Sequence, residues 1–567
     1  MAKSNKYDSY TKEELIDELE TLKKKKYGLV WDKKNSQEIL DAFVNWENVP
    51  ENFMPKQFPV LKEVKNKEIK TDKDKPVNLL IEGDNYHSLA VLNFTHQDKI
   101  DVVYIDPPYN TGNNDFTFND KFVDREDPWR HSKWLSFMEK RLWLARSLLK
   151  KTGVLFVSIG DDEFAQLKLL CDEIFGDSNF LANIIRKSKE TSNKGRYFSP
   201  STDYVLCYAK DIDTLPEFND NEVQKGEKYL KLFRHEDKRG KYNLVSLYMP
   251  SLDPRPNQRY YITCPDNTKV ITPSEDKMFR WIPATFQKNL KDDRVVFLKT
   301  KTSPLIDERG NKAAWNIYTK IYLHERQETG MKPLTFIDIP NSLGSKELIK
   351  MGIDFSFSKP KELIKYLISI TDKESDITVL DFFAGSGTTG QAVLELNNED
   401  SGRRKFILCT NNENNICADI CYPRVKNVIS GYKSAKGEAV TGLNGNLKYF
   451  KTDFVGSDSN DKNKRDLVNK STEMICIKED IFDLVVDEGF DFKIYQKDKK
   501  FLGVVFDIDS LDAFKAAAEK CKGSFSVYCF SYNETTPEKE FKNLNNEYTF
   551  KPIPAIILKV YLEIFKK

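Results

Sequence analysis

Apolar residues fall along this chain in two rhythms: faces recurring at helical spacing, and short unbroken β-branched runs. The first signal is a capping box, Thr11-Lys-Glu-Glu14, followed by Leu15, Ile16, Leu19 and Leu22 at helical spacing. Lys23 to Lys26 fall in the last turns of that helix, where cations suit the helix dipole, and read as a solvated face. Residues 47–77, with scattered prolines and KNKEIKTDKDK, read as an irregular lead-in. From residue 78 strands and helices alternate. NLLIEGD (78–84) is a buried strand ending in an acidic residue, HSLAVLNF continues as a helix, and IDVVYID (100–106) is a second strand. A long amphipathic helix at 132–150 leads to the strand VLFVSI (154–159) and a helix around EFAQLKLLCDEIF. Such alternation predicts a parallel α/β sheet. It lapses over 181–345, an aromatic, proline-punctuated segment with short β-like runs such as YVLCYAK and RVVFLKT. It returns over 346–430 with the helix KELIKYLISI, the strand ITVLDFFAG, a helix from Thr389 and the strand KFILCT. Residues 431–567 mix strands and helices, and no period of about 20–50 residues marks a solenoid or propeller.

Composition narrows the class. At 567 residues, 40% of them hydrophobic, the chain has material for about three or four domains with real cores. Its 25 Gly and 23 Pro are near average, which excludes collagen-like and low-complexity chains. No stretch of about 18 uncharged apolar residues occurs, so no membrane span is expected. MAKSNKYDSYTKEEL lacks the apolar stretch of a secretory signal, and a cytosolic protein is expected. Nine cysteines, an odd number without a CxxC pair, read as buried or idle thiols; Cys417 and Cys421 are the nearest pair, with no His beside them. The 88 Lys+Arg and 87 Asp+Glu nearly cancel, which excludes a uniformly basic nucleic-acid coat. Charge is uneven, however: residues 181–345 hold 28 Lys+Arg against 21 Asp+Glu, a local net of +7.

Two motifs, each at the end of an apolar strand, carry the candidate chemistry. The first is Asp106-Pro107-Pro108-Tyr109. In an open α/β sheet ligands bind at the carboxyl ends of strands, where this loop lies. Two consecutive prolines fix the backbone and remove two N–H donors, leaving acceptors: the Asp106 carboxylate and the Pro107 carbonyl. Acceptors suit an –NH2 substrate. The exocyclic amino group of a base is flat and poorly nucleophilic; two acceptors holding its protons favour pyramidal geometry and absorb positive charge developing in the transition state. Tyr109 offers a flat face for stacking. Taken alone, DPPY also fits a β-turn with an aromatic plug. The second motif, Asp381-Phe-Phe-Ala-Gly385-Ser-Gly387-Thr-Thr389, lies between ITVL and a helix. Its glycines permit a tight turn and close approach of a ligand to backbone. It lacks the Lys-Ser/Thr of a phosphate-cradling loop, since Gln391 follows Gly390, and lacks the GxGxxG spacing of a pyrophosphate site. A carboxylate without a phosphate-binding lysine suits a ligand with cationic or hydroxyl donors, and Glu413, past KFILCT, is a candidate acceptor for ribose hydroxyls. S-adenosylmethionine has that profile: an amino acid, a sulfonium and a ribose, with no phosphate.

Together these motifs resemble the paired signatures, (D/N/S)PP(Y/F) and FxGxG, of the amino-methyltransferases that modify bases in DNA, in the beta-class order. More closely, LLIEGDNYHSL, VVYIDPPYNTG, RLWLARSLLKKTGVLFVSIGDDE, DFFAGSGTTGQAV and KFILCTNNEN resemble the modification (Mod) subunit of type III restriction–modification systems, over about 78–210 and 345–450. The resemblance implies an α/β fold with a doubly wound, largely parallel, seven-stranded Rossmann-like sheet in permuted motif order. It divides the chain into an N-terminal segment (1–77), a catalytic half (78–180), an inserted mixed α/β target-recognition domain (181–345), a cofactor-binding half (346–430) and an α+β C-terminal domain (431–567) for dimer, partner or DNA docking.

The resemblance also implies methyl transfer from S-adenosylmethionine to the 6-amino group of adenine in double-stranded DNA, by base flipping and direct in-line displacement. Asp106, Pro107, Pro108 and Tyr109 match the catalytic loop. Asp381, Phe383, Ala384, Gly385, Ser386, Gly387, Thr388, Thr389 and Glu413 match the cofactor site. Asp84 matches the acidic position bordering the cofactor adenine, and Lys359 of FSFSKPKELI the segment that closes over its methionine end. Tyr204 and Tyr208 stand where the family has an aromatic element near the target-base pocket, and a strand-packing role fits them equally; Asp161 and Asp162 read as an ordinary loop or N-cap pair. No metal is required. The implied partners are duplex DNA, a second copy of the chain, and a restriction (helicase/nuclease) subunit in a bacterial cytoplasm. No GxxxxGK[ST] motif is present, and Asp266 with Lys269 makes no nuclease core, so cleavage would come from such a partner. Readings that stay open are a solitary adenine methyltransferase, an enzyme acting on cytosine, RNA or a protein amide, and a DNA-binding subunit without catalysis.

Overall fold

The computed structural model describes residues 57–565 except 114, 119–120, 191–196, 219–229, 251–254, 330–331, 356, 372–373, 458–459, 532–534 and 543, together with 11–12, 16, 29–33 and 36. The expected helix from the capping box through Lys26 lies outside the described residues, save Thr11, Lys12 and Ile16. The chain folds as two compact units, Met1–Pro216 with Leu334–Lys567, and Glu217–Pro333.

In the first unit the apolar runs assemble one mixed sheet of eleven strands. Its order is Gln57–Glu63, Asn446–Gly456, Val77–Glu82, Lys405–Thr410, Thr378–Asp381, Ile100–Ile105, Leu149–Ile159, Thr202–Ala209, Phe180–Lys187, Phe336–Asp338, with Ile69–Lys70 paired to Asn446–Gly456. The strands from Asn446–Gly456 to Leu149–Ile159 run parallel. Thr202–Ala209 runs against both its neighbours, and Gln57–Glu63 runs against Asn446–Gly456. Parallel strands are covered by helices, which is why their sequences are unbroken apolar runs: Val102, Val103, Ile105, Leu155, Val157, Leu380 and Ile407 are all buried. Helices Asn85–His96, Arg130–Leu148 and Phe164–Phe175 pack in series, as do Lys361–Thr371, Thr388–Asp400 and Tyr422–Ser430.

The sheet exceeds the seven strands implied by resemblance because segments outside the alternating regions are added at its edges. Unpaired strand edges expose N–H and C=O groups, and added strands satisfy them. The segment 181–345 is also not one body. Phe180–Lys187, Thr202–Ala209 and Phe336–Asp338 belong to the main sheet, while Glu217–Pro333 clusters separately. Phe180–Lys187 is only half-buried along most of its length, so it lacks the apolar run that betrays a parallel strand. The C-terminal segment likewise lends Asn446–Gly456 to the main sheet before forming a five-stranded sheet over Asp483–Ile553. Its last helix, Ala555–Phe565, returns to the first strand, where Tyr561 stacks on Phe58 with centroids 5.2 Å apart.

The second unit, taken by itself, has an antiparallel sheet ordered His235–Asp237, Gly240–Ser246, Trp315–Tyr322, Val295–Lys299, a helix Pro283–Lys291, and a core that includes Leu247, Val270, Phe279, Phe286 and Ile317. It holds 22 Lys+Arg against 16 Asp+Glu, so most of the local positive excess lies here. All nine cysteines are free thiols, and eight of them are buried. Among the described residues no helix is long and apolar enough to cross a membrane.

Candidate active site

The two motif loops leave adjacent strands at one edge. Leu380 pairs with Val103 across parallel strands, so Phe383 and Asp106, each three residues further on, emerge side by side. Neighbouring strands lie about 4.8 Å apart, which puts both loops within reach of one small ligand.

The first loop is an acceptor surface buttressed from outside. The indole N–H of Trp134 donates to the Pro108 carbonyl at 2.8 Å, whereas among the described residues no group donates to the Pro107 carbonyl. The Tyr109 ring lies on the backbone of Gly160, where a Cβ would come within 2.8 Å of Tyr109 Cδ2. Its hydroxyl is buried without a partner; burial first, and then the Asp106 charge, push its pKa well above the usual phenol value. Asn110 closes the loop in the left-handed region, φ 56°.

The second loop is held from beneath. Gly387, at φ 77°, leaves 3.0 Å between a would-be Cβ and Cys421 Sγ, so only glycine fits. At Gly385, also at positive φ, the nearest atom to such a Cβ is the Phe383 carbonyl oxygen at 3.8 Å, which leaves a cradle open above the turn. Asp381 is buried and accepts from the Phe383 N–H at 3.0 Å and the Thr389 hydroxyl at 2.5 Å. Burial pushes its pKa up to about 7 despite those donors. Its two oxygens thus staple the loop to the strand rather than face a ligand. Ser386 and Thr388 are buried too, and turn inward to Arg424 and Ser358.

A dipeptide spans both loops. Lys359 Nζ donates to the two carboxylate oxygens of Asp106 at 2.6 and 2.7 Å and stands 4.9 Å above the Tyr109 ring. Ser358 shares hydroxyl bonds with Ser386 at 3.0 Å and Thr388 at 3.2 Å. Behind them Arg424, fully buried, donates to Ser358, Ser386 and Thr388 at 3.1, 2.9 and 2.6 Å, and to Gln391 at 2.9 Å. Burial pulls its pKa down to about 10.

Two carboxylates flank the cradle on the next strands, where Glu82 pairs with Thr410. Asp84 caps Asn85–His96, accepting from the Tyr86 N–H at 2.7 Å, and meets Arg141 at 3.3 Å. Burial raises its pKa, but Arg141, His87 and the Tyr86 N–H outweigh that and hold it below the usual carboxylate value. Asn85 donates to the Phe382 carbonyl at 3.0 Å, which ties this loop to the glycine loop. Glu413 is exposed in the turn after Lys405–Thr410, just before the left-handed Asn414 and Asn415.

The two strand tyrosines part company. Tyr208 is fully buried between Phe175 and Phe180 and donates to Asp172 at 2.8 Å, so it is a packing residue with no face for a base, correcting its expected place in the pocket. Tyr204, paired with Ile159 at the site edge, donates to Asp161 at 2.8 Å and packs on Phe164. Sequence reasoning missed Trp134, Arg141 and Arg424, as well as Glu163, whose carboxyl meets Asn110 at 2.5 Å. A buried arginine has no sequence signature of its own, because its burial depends on partners distant in the chain. Among the described residues no three His, Cys, Asp or Glu converge to hold a metal ion.

The sequence profile of a family described as DNA methylase matches residues 100–421. The StyLTI Mod subunit, a type III restriction–modification protein of Salmonella typhimurium, is 35% identical over 359 residues, 59% of this chain and 52% of its own length. The EcoPI Mod subunit of Escherichia phage P1 is 31% identical over 471 residues, covering 73% of this chain and 67% of that one. The type II methyltransferase M.KpnI of Klebsiella pneumoniae is 30% identical over 380 residues, 64% of this chain and 86% of that one. The chain spans about half the length of the StyLTI relative. With a profile match over more than half of its residues and one loop of each motif at the same sheet edge, this chain belongs to the DNA methylase family.

Proposed function

We propose that this chain transfers a methyl group from S-adenosylmethionine to the 6-amino group of adenine in double-stranded DNA, as the modification subunit of a type III restriction–modification system. One observation carries the reading: the Asp106–Pro107 acceptor pair and the Gly385 cradle leave neighbouring strands, bridged by Ser358-Lys359. The residues present fit the cofactor. Gly385 leaves open space, and Asp84 and Glu413 place carboxylate acceptors on the flanking strand ends, which suits a ligand with hydroxyl and amino donors. When bound, the cofactor supplies an electrophilic methyl carbon on sulfur.

The chain's own part is to hold the nitrogen. Asp106 and the Pro107 carbonyl accept the two amine protons, pull the nitrogen out of planarity, and aim its lone pair across the gap between the strands. Holding amine and methyl in line accounts for much of the acceleration, since well-oriented groups reach effective molarities of about 10⁵–10⁸ M. The Lys359 ammonium donates to both Asp106 oxygens, so the seat is already shaped to accept N–H donors of the kind the amine brings. Tyr109 stacks on the extruded base, offsetting the few kcal/mol of unstacking. After transfer the surplus proton on nitrogen passes to Asp106. The Asp at the head of DPPY favours adenine over cytosine by resemblance to the family.

The Glu217–Pro333 unit, with its excess of cations, neutralises DNA phosphates and reads base edges in this proposal. A second copy of the chain and a helicase/nuclease subunit are its proposed partners, in the cytoplasm of a bacterium. Incubating the protein with unmodified duplex DNA and labelled cofactor, then digesting to nucleosides, should yield N6-methyladenine. N4-methylcytosine would move the reading to cytosine, and no incorporation would sink it. Asp106→Ala should abolish turnover while cofactor affinity stays near normal.

A further inference from the structure

We propose that Glu163 is a positioning residue for the catalytic loop, acting on Asp106 and Tyr109 through Asn110; this rests on the methyl-transfer reading above. Asn110 follows DPPY directly, is fully buried, and holds a left-handed φ of 56°. Asparagine tolerates that region because its short polar side chain finds local partners. Here the partners lie across the loop: Nδ2 donates to the Arg130 carbonyl at 3.2 Å and to Glu163 Oε1 at 2.5 Å. Glu163 is itself fully buried, and its Oε1 also meets His131 Nδ1 at 2.7 Å. Glu163 Oε2 and Asn110 Oδ1 are both buried without a partner.

A buried, half-satisfied carboxyl is costly to keep unless it holds something in place. What it holds is the last residue of the acceptor loop. Burial pushes the Glu163 pKa up to about 8, against the Asn110 bond and the Arg130 charge, which lower it, and with Asp162, which raises it. Arg130 and His131 face it from the helix Arg130–Leu148, Asp162 from its own loop and Asn110 from the catalytic loop, while Gln166 reaches His131 at 3.3 Å. Burial and Arg130 lower the His131 pKa, against Asp162, which raises it. The neutral acid is therefore the form this pocket favours. That contribution is full below the ordinary glutamic acid range and is lost as pH rises through about 8. Ionisation makes Glu163 a stronger acceptor for Asn110 but opposes its burial, the larger effect, so above about pH 8 the carboxylate is drawn toward water and Asn110 with it; a displacement of about 1 Å at the reacting groups is enough to cost about 10²-fold in rate.

The test compares wild type, Glu163→Ala, Glu163→Gln and Asn110→Gly in methyl transfer to duplex DNA across pH 6–10, with S-adenosylhomocysteine binding and amide exchange of residues 109–113 measured on the same samples. Glu163→Ala should lower kcat at least about tenfold with binding within about twofold. Wild type should lose activity as pH rises through about 8, and Glu163→Gln should keep most activity at pH 7 without that descending limb. Asn110→Gly keeps the left-handed backbone without the bonds and should match Glu163→Ala, so the proposal survives if the alanine variant fails to fold. Exchange at 109–113 should quicken in Glu163→Ala and Asn110→Gly alike. Unchanged exchange, or a descending limb retained in Glu163→Gln, overturns the proposal. Wild type that methylates nothing overturns the functional reading instead, and the exchange data still decide the positioning role.

Discussion

The acceptor loop and the glycine loop occupy equivalent places at the ends of neighbouring strands, yet they are built in opposite ways. Prolines strip donors from the first and leave it a surface of oxygens; glycines open the second so that a ligand can approach backbone. The supports differ accordingly. The DPPY loop is propped from outside, by Trp134 on Pro108 and Glu163 on Asn110. The glycine loop is stapled from below, by Asp381 on Phe383 and Thr389, with Arg424 on Ser386 and Thr388. One loop is shaped to grip protons of a substrate and the other to admit a cofactor, so damage to each should separate in kinetics.

The largest effect is expected at Asp106. Asp106→Asn keeps the shape but removes the charge, and should cut kcat by at least about 10²-fold while S-adenosylhomocysteine binding, measured by calorimetry, stays within a few fold. Gly387→Val should do the reverse. A side chain at φ 77° beside Cys421 costs about 1–3 kcal/mol and distorts the cradle, so cofactor binding should collapse first. If both variants lose binding equally, the division of labour between the loops fails. Asp381 sharpens the comparison through pH. Because burial raises its pKa to about 7, the native state keeps a proton the unfolded chain has lost, and this group's contribution to stability falls as pH rises from about 4 to 7. Asp381→Asn should flatten that part of the melting-temperature profile; an unaltered slope would show that the carboxyl is not titrating there. The smallest effect is expected at Tyr204→Phe, which loses one exposed bond to Asp161 and should change stability by no more than about 1 kcal/mol, with turnover near wild type. A large fall in turnover there would bring Tyr204 into the base pocket.

Much of the site was legible because its strands are buried on both faces and advertise themselves as apolar runs ending in DPPY and DFFAG. The boundary of the insert was less legible. Phe180–Lys187 and Thr202–Ala209 form an antiparallel pair, the first of them half-buried, and so looked like part of an irregular segment. Tyr204 and Tyr208 lie four residues apart on that pair, and their strand pattern alone could not tell which ring would be sealed between Phe175 and Phe180.

Local order therefore settled the chemistry available, because prolines and glycines act on their own backbone wherever the chain carries them. Tertiary structure alone decided who holds whom. Lys359 meets Asp106 across 253 positions, Asn85 meets the glycine loop across 297, and Glu163 reaches Asn110 across 53. Such contacts depend on burial, which is a property of the packed chain and leaves no periodic trace in any single stretch of it.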